Sequence, residues 1–117
     1  MAYDEYLQER IDRILSERNI AHEARKMMGG LCYMVDDKMC FGIVKNEFMA
    51  RVGTERYDSL IKREGARAMD FTKRPMKGYL FIDPEGIDRD DDLEFWIQCC
   101  LDFNPQATSS KKRKSNR

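Results

Sequence analysis

The chain has 117 residues, 42% of them hydrophobic and 36% charged, which suits one soluble domain, since compact domains most often run about 100–150 residues. Its formal net charge of zero conceals an asymmetry: all 21 acidic residues lie at or before Asp102, whereas five of the 21 Lys and Arg follow it, leaving a body of −5 and a basic end of +5. No segment approaches the roughly 20 apolar residues of a membrane span, and Met1-Ala-Tyr-Asp-Glu-Tyr6 lacks the basic and apolar regions of a signal peptide, so a cytoplasmic protein without membrane contact is expected.

Asp4 is placed to cap a first helix in which Tyr3, Leu7, Ile11, Ile14 and Leu15 share one face, leaving Arg10, Asp12, Arg13 and Glu17 on the wet side. The polar stretch from Asn19 through Arg25 reads as a connection. Three short apolar runs follow, Met27 to Val35, Met39 to Val44 and Glu47 to Val52, separated by Asp36-Asp37-Lys38 and Lys45-Asn46. Such turn residues between strands predict successive hairpins. Thr54 can cap a short second helix carrying Tyr57, Leu60 and Ile61, which Gly65 ends where a positive φ is cheap. Ala68 to Phe71 and Tyr79 to Ile82 predict two more strands flanking Thr72 to Gly78. Asp83-Pro-Glu-Gly86 is a turn, and Asp88, Asp90, Asp91 and Asp92 crowd the start of a third helix, where carboxylates meet free backbone N–H groups. Its inner stripe is Leu93, Trp96, Ile97, Cys100 and Leu101.

From Asn104 the apolar periodicity stops, so residues 1–103 are expected to form the domain and 104–117 a disordered basic tail. The fold class is α+β: one antiparallel sheet of about five strands with three helices, in the order α-β-β-β-α-β-β-α.

Few residues are arranged for chemistry. Cys32, Cys40, Cys99 and Cys100 contain no C-x-x-C pair and His22 is the one histidine, so the thiols read as reduced core fillers and no metal site is expected. The aspartate cluster has Leu93 and Cys99 where a calcium loop requires Gly and Glu, and helix capping explains it better. Met28-Gly29-Gly30 lacks the Gly-Lys-Ser/Thr ending of a phosphate loop, and a strand kink or close backbone approach accounts for it. No nucleophile, base and acid are spaced as a set, so no catalytic residue and no cofactor are expected. The methionines, Met27, Met28, Met34, Met39, Met49, Met69 and Met76, fall within or beside strands as core fillers.

The segment from Gly65 to Tyr79 is the most informative. It places Arg67, Lys73, Arg74 and Lys77 around Pro75, Met76 and Gly78, with Phe71 and Tyr79 interleaved. Cations beside aromatic rings can meet phosphates and stack on bases, which makes a small nucleic-acid-binding module, using residues 67–77 and the tail, the alternative to a protein-binding surface.

Four blocks carry a family resemblance: Met28-Gly29-Gly30-Leu31-Cys32-Tyr33-Met34; Lys38-Met39-Cys40-x-Gly42-x-Val44; Met49-x-Arg51-Val52-Gly53; and Gly65-Ala66-Arg67-x-Met69-Asp70-Phe71-x-x-Arg74-Pro75-Met76-Lys77-Gly78-Tyr79. In this order and spacing the chain, from Met1 to about Phe103, closely resembles the TfoX N-terminal domain family. The family commonly has Phe at position 28 and Gly at position 73, where this chain has Met28 and Lys73. Its competence regulators, which act with the cyclic-AMP receptor protein to switch on DNA-uptake genes, carry a second helical domain; this chain has a basic tail in that place, which makes it similar to the single-domain members. The resemblance implies a bacterial, non-enzymatic regulatory domain that acts through protein contacts, with a transcription regulator of the cyclic-AMP receptor type as partner. Arg51, Arg67, Lys73, Arg74, Met76 and Lys77 are the expected partner-binding residues, Arg51 having a structural pairing as its other reading. An exposed sheet edge would also serve a homodimer.

Overall fold

The structure, a computed structural model, describes residues 3–27, 29–69 and 77–107. Helix α1 spans Glu5–Glu17. Strands β1 (Glu23–Met27), β2 (Gly30–Val35), β3 (Lys38–Val44) and β4 (Glu47–Arg51) follow, then α2 (Tyr57–Leu60), β5 (Ala66–Ala68), β6 (Tyr79–Ile82) and α3 (Asp90–Phe103). The strands form one antiparallel sheet in the order β1-β2-β3-β4-β6-β5, so β6 inserts between β4 and the edge strand β5.

The α+β class and the three helices hold, but among the described residues the sheet has six strands where about five were expected. The extra strand is β1, inside the stretch read as a connection and the start of one long strand. Met27 pairs with Gly30 across only two residues. Gly29, at φ +75°, supplies the left-handed backbone such a tight turn requires. Gly30 is the close approach: an added Cβ would collide with the Ile43 carbonyl across the ladder. The other two hairpins turn where the sequence places them. Asp36 and Asp37 both have positive φ, 56° and 64°, and Lys45 sits at 57°, the twist that two-residue hairpins favour.

Asp4 caps α1, its Oδ1 accepting from the backbone N–H groups of Tyr6 at 2.9 Å and Leu7 at 3.3 Å. The Asp4 N–H donates to the Lys45 carbonyl at 2.7 Å, pinning the helix start to the β3–β4 turn. The second helix is one turn only; Thr54 does not cap it, its N-cap being Arg56 with no side-chain bond. Gly65 does adopt a positive φ, 83°, after it. The chain also stays packed past residue 103. Asn104–Gln106 forms a 3-10 turn whose Asn104 Nδ2 donates to the Val35 carbonyl at 3.1 Å, while Lys38 Nζ donates to the carbonyls of Asn104 and Pro105, both at 3.2 Å. A lysine at that point meets the negative end of α3.

One face of the sheet carries the main core. Leu31, Tyr33, Phe41, Ile43, Phe48, Ala50, Leu80 and Ile82 bury against Leu7, Ile11, Ile14 and Leu15 of α1 and Leu93, Trp96, Ile97 and Cys100 of α3. Tyr33, Phe41 and Phe48 stack across three strands with ring centroids 5.1 and 5.4 Å apart. Each fully buried side chain of this size contributes about 1.5–3 kcal/mol.

Arg10 corrects the wet-side reading of α1. It is buried at 9% exposure, and its Nη2 donates to the carbonyls of Ile87 at 2.8 Å and Asp88 at 3.2 Å and to Asp90 Oδ1 at 3.1 Å. Arg13 reaches the other Asp90 oxygen at 3.3 Å. Asp90, within the aspartate cluster, is thus engaged by two guanidinium groups at the start of α3.

Candidate interaction surface

Alternation along the strands puts a second apolar set on the opposite face. Cys32, Met34, Met49, Met69 and Phe81 are buried there, with Met27, Met39, Val44 and Tyr79 half-buried around them. Every described member of this cluster comes from the strands or from Met69, beside β5; the described helices contribute to the other face. Methionine supplies five of its nine members, giving a soft, polarizable second cluster whose half-buried rim, Met27, Met39, Val44 and Tyr79, is its accessible part.

The register aligns one row straight across this face. Arg25 pairs with Cys32, Cys32 with Gly42, Gly42 with Met49, Met49 with Phe81 and Phe81 with Arg67. An arginine therefore stands at each end of a six-strand row whose middle is sulfur, glycine and an aromatic ring. Both arginines are held by carboxylates. Arg25 Nη2 lies 3.2 Å from Glu23 Oε1. Arg67 Nε donates to Asp83 Oδ1 at 3.0 Å and its Nη2 to Glu47, and its guanidinium lies 5.3 Å from the Phe81 ring centroid. Side-chain exposure is 43% for Arg67 against 24% for Glu47, so the cation faces outward over a more buried carboxylate.

Arg51 ends β4. Its guanidinium lies 5.5 Å from the Tyr79 ring centroid and 5.8 Å from that of Phe103, and its Nη1 donates to the Met39 carbonyl at 3.2 Å. This is a structural setting: it joins β3, β4 and β6 to the end of α3. Lys77 is exposed in the turn that enters β6. Lys73, Arg74 and Met76 lie outside the described residues. Of the six residues singled out from the sequence, the structure places Arg67 at one end of this row, Arg51 at the junction of the sheet with the end of α3, and Lys77 exposed in the turn before β6. Arg25, Glu47 and Asp83 belong to the same arrangement and were not singled out. Their signal is the pairing register, which no single strand reveals.

The thiols divide between the faces. Cys32 lies on the methionine face, its Sγ 3.9 Å from Met39 Sδ, while Cys40, Cys99 and Cys100 bury on the helical side. All four are free, and burial pushes each thiol up from its ordinary value, Cys40 to about 12. They are protonated packing groups at neutral pH and poor nucleophiles or ligands. Among the described residues, no three His, Cys, Asp or Glu side chains are grouped to hold a metal ion, and no helix is long and apolar enough to cross a membrane. Two concavities, of about 260 and 280 Å3, are lined by Thr54, Arg56, Asp102 and Gln106 and by Arg63, Glu64, Glu85 and Asp92, respectively. Charges of both signs meet in each; Arg56 Nη1 stands 3.8 Å from Asp102 Oδ2 in the first.

Comparison with known proteins places most of the chain. The model of the TfoX N-terminal domain matches residues 18–104, from the end of α1 through the whole sheet to the end of α3. No curated protein and no solved structure matches the chain in the corresponding comparisons.

Proposed function

Because the chain belongs to the TfoX N-terminal domain family, we propose that it is a non-enzymatic regulatory domain of the bacterial cytoplasm that works by contacting another protein, a transcription regulator of the cyclic-AMP receptor type. The observation that carries this reading is the rim of the methionine face, where half-buried Met27, Met39, Val44 and Tyr79 lie between carboxylate-held arginines at the two ends of the row. Fixed arginines beside partly exposed methionines match the composition of protein-binding surfaces, where Met and Arg are enriched. Because Arg67 is already held by Glu47 and Asp83, presenting it to a partner costs little side-chain entropy.

The test is biolayer interferometry of the full chain against an immobilised bacterial cyclic-AMP receptor protein, with fluorescence anisotropy on duplex DNA across a salt series in parallel. Binding to the protein that Met39→Glu and Arg67→Ala each weaken supports the proposal. Absence of protein binding, with DNA affinity that falls steeply as salt rises, would overturn it in favour of a nucleic-acid module.

A further inference from the structure

Among the described residues the strand order leaves two terminal strands, and they differ. β5 has three residues and its Arg67 is committed to Glu47 and Asp83, whereas β1 has five residues, Glu23-Ala-Arg-Lys-Met27, all in register with β2 on one side only. Natural sheets blunt such an edge with a very short strand, proline, a bulge or charged side chains, lysine above all. β1 contains no proline or glycine, its pairing with β2 runs without a register shift, and its three charges, Glu23, Arg25 and Lys26, are of both signs, so an antiparallel copy can match two of them.

The hairpin fixes which groups face outward. Met27 and Gly30, joined by two residues, exchange both their backbone hydrogen bonds, so Arg25 and Glu23 also bond inward to β2. The N–H and C=O groups of Ala24 and Lys26 therefore point away from the sheet. An antiparallel copy of the same strand can meet them about a two-fold axis centred on Ala24, Arg25 or Lys26. Centring on Arg25 sets that residue against its own copy, and centring on Lys26 does the same with lysine. Centring on Ala24 sets Glu23 opposite Arg25 twice, in the closer, non-hydrogen-bonded positions where cross-strand charges act most strongly. Glu23 and Arg25 already lie on one face, 3.2 Å apart within the strand.

We infer that two copies of this chain join β1 to β1 through backbone hydrogen bonds about a two-fold axis at Ala24, with Glu23 of each copy paired to Arg25 of the partner subunit. The axis is perpendicular to the sheet, so the two sheets run on as one with their methionine-bearing faces on the same side. The inference is independent of which other partner the protein binds.

Sedimentation equilibrium on the full chain over a wide concentration range tests it. A concentration-dependent dimer is expected, weakened at least about tenfold by Glu23→Arg or by Arg25→Glu, each of which turns two attractions into two repulsions. The double exchange, Glu23→Arg with Arg25→Glu, restores it. Ala24→Pro removes an outward N–H that β2 does not use, so it yields a monomer with an unchanged far-ultraviolet circular dichroism spectrum. A monomer at every concentration, a dimer that survives Ala24→Pro, or a double exchange that fails to restore association overturns the inference.

Discussion

The guanidinium of Arg10 and the carbonyl of Ile87 meet at 2.8 Å, tying the middle of α1 to the turn that opens α3. Removing that side chain leaves the Ile87 carbonyl without this donor and Asp90 with only Arg13. Arg10→Ala is expected to cost about 2–3 kcal/mol, since a charged donor leaves a buried acceptor behind. Arg13→Ala, whose side chain is 55% exposed, should cost under about 1 kcal/mol. Chemical denaturation of both variants checks the difference; equal losses would contradict it.

Arg51 gives a second stability test. Its guanidinium lies near two aromatic rings and donates to the Met39 carbonyl, so Arg51→Ala is expected to lose about 1–2 kcal/mol. For a domain of this size that is a melting temperature lower by roughly 4–8 °C per kcal/mol. Arg51→Lys keeps the charge but not the planar fork and should recover less than half. Scanning calorimetry of the three proteins decides it.

The thiols predict a pH response with a definite sign. Burial holds the Cys40 thiol at about 12, up from an ordinary 9.0, although nearby Arg51 pulls it down somewhat; Cys100 and Tyr33 are pushed up as well, each chiefly by burial. The unfolded chain ionises first. Stability is therefore fully present below about pH 9 and is lost as pH rises toward about 12. Urea midpoints should match between about pH 7 and 8 and fall by about pH 10. Ellman's reagent should find the four thiols silent in the native protein and reactive once it is unfolded.

Gly42 stands at the centre of the methionine row for lack of space. A Cβ there would lie 2.6 Å from the Leu31 carbonyl oxygen and 3.1 Å from Met49 Cε. The methionine end can move, but the carbonyl belongs to the β2–β3 ladder and cannot without parting the strands. Gly42→Ala is expected to cost about 1–3 kcal/mol. Met49→Ala, which empties a fully buried site, should cost about 2–5 kcal/mol. The double variant should fall short of the sum of the two, because truncating Met49 vacates part of the space the new methyl needs.

Much of the fold was legible because local chemistry agreed with it. Asp4, the Leu7-Ile11-Ile14-Leu15 stripe, the Asp36-Asp37 and Lys45-Asn46 turns and the start of α3 each announce themselves within a few residues. β1 escaped because Glu23-Ala-Arg-Lys-Met27 is an edge strand, exposed enough to carry charge where a half-buried strand would alternate. Arg10 escaped for a different reason. Nothing on its helix shows that the Ile87 and Asp88 carbonyls arrive from 77 and 78 residues away to receive it. The arginine-ended row was hidden in the same way, since Arg25 and Arg67 share it only through five successive strand pairings. Composition names the cations; pairing decides which of them share a line.

The insertion of β6 between β4 and β5 divides the sheet by the length of chain each pairing must close. β1 to β4 are joined by two-residue turns, so each of their ladders forms from neighbours in the sequence. The β4–β6 ladder sets Arg51 against Tyr79 and Phe48 against Ile82, and its loop includes α2 and β5. Closing the longer loop carries the larger entropic barrier. The meander is thus suited to nucleate folding, and β6 to arrive as the strand that commits the molecule. Mutations in the first three turns should slow folding, whereas those at the β4–β6 seam should chiefly hasten unfolding.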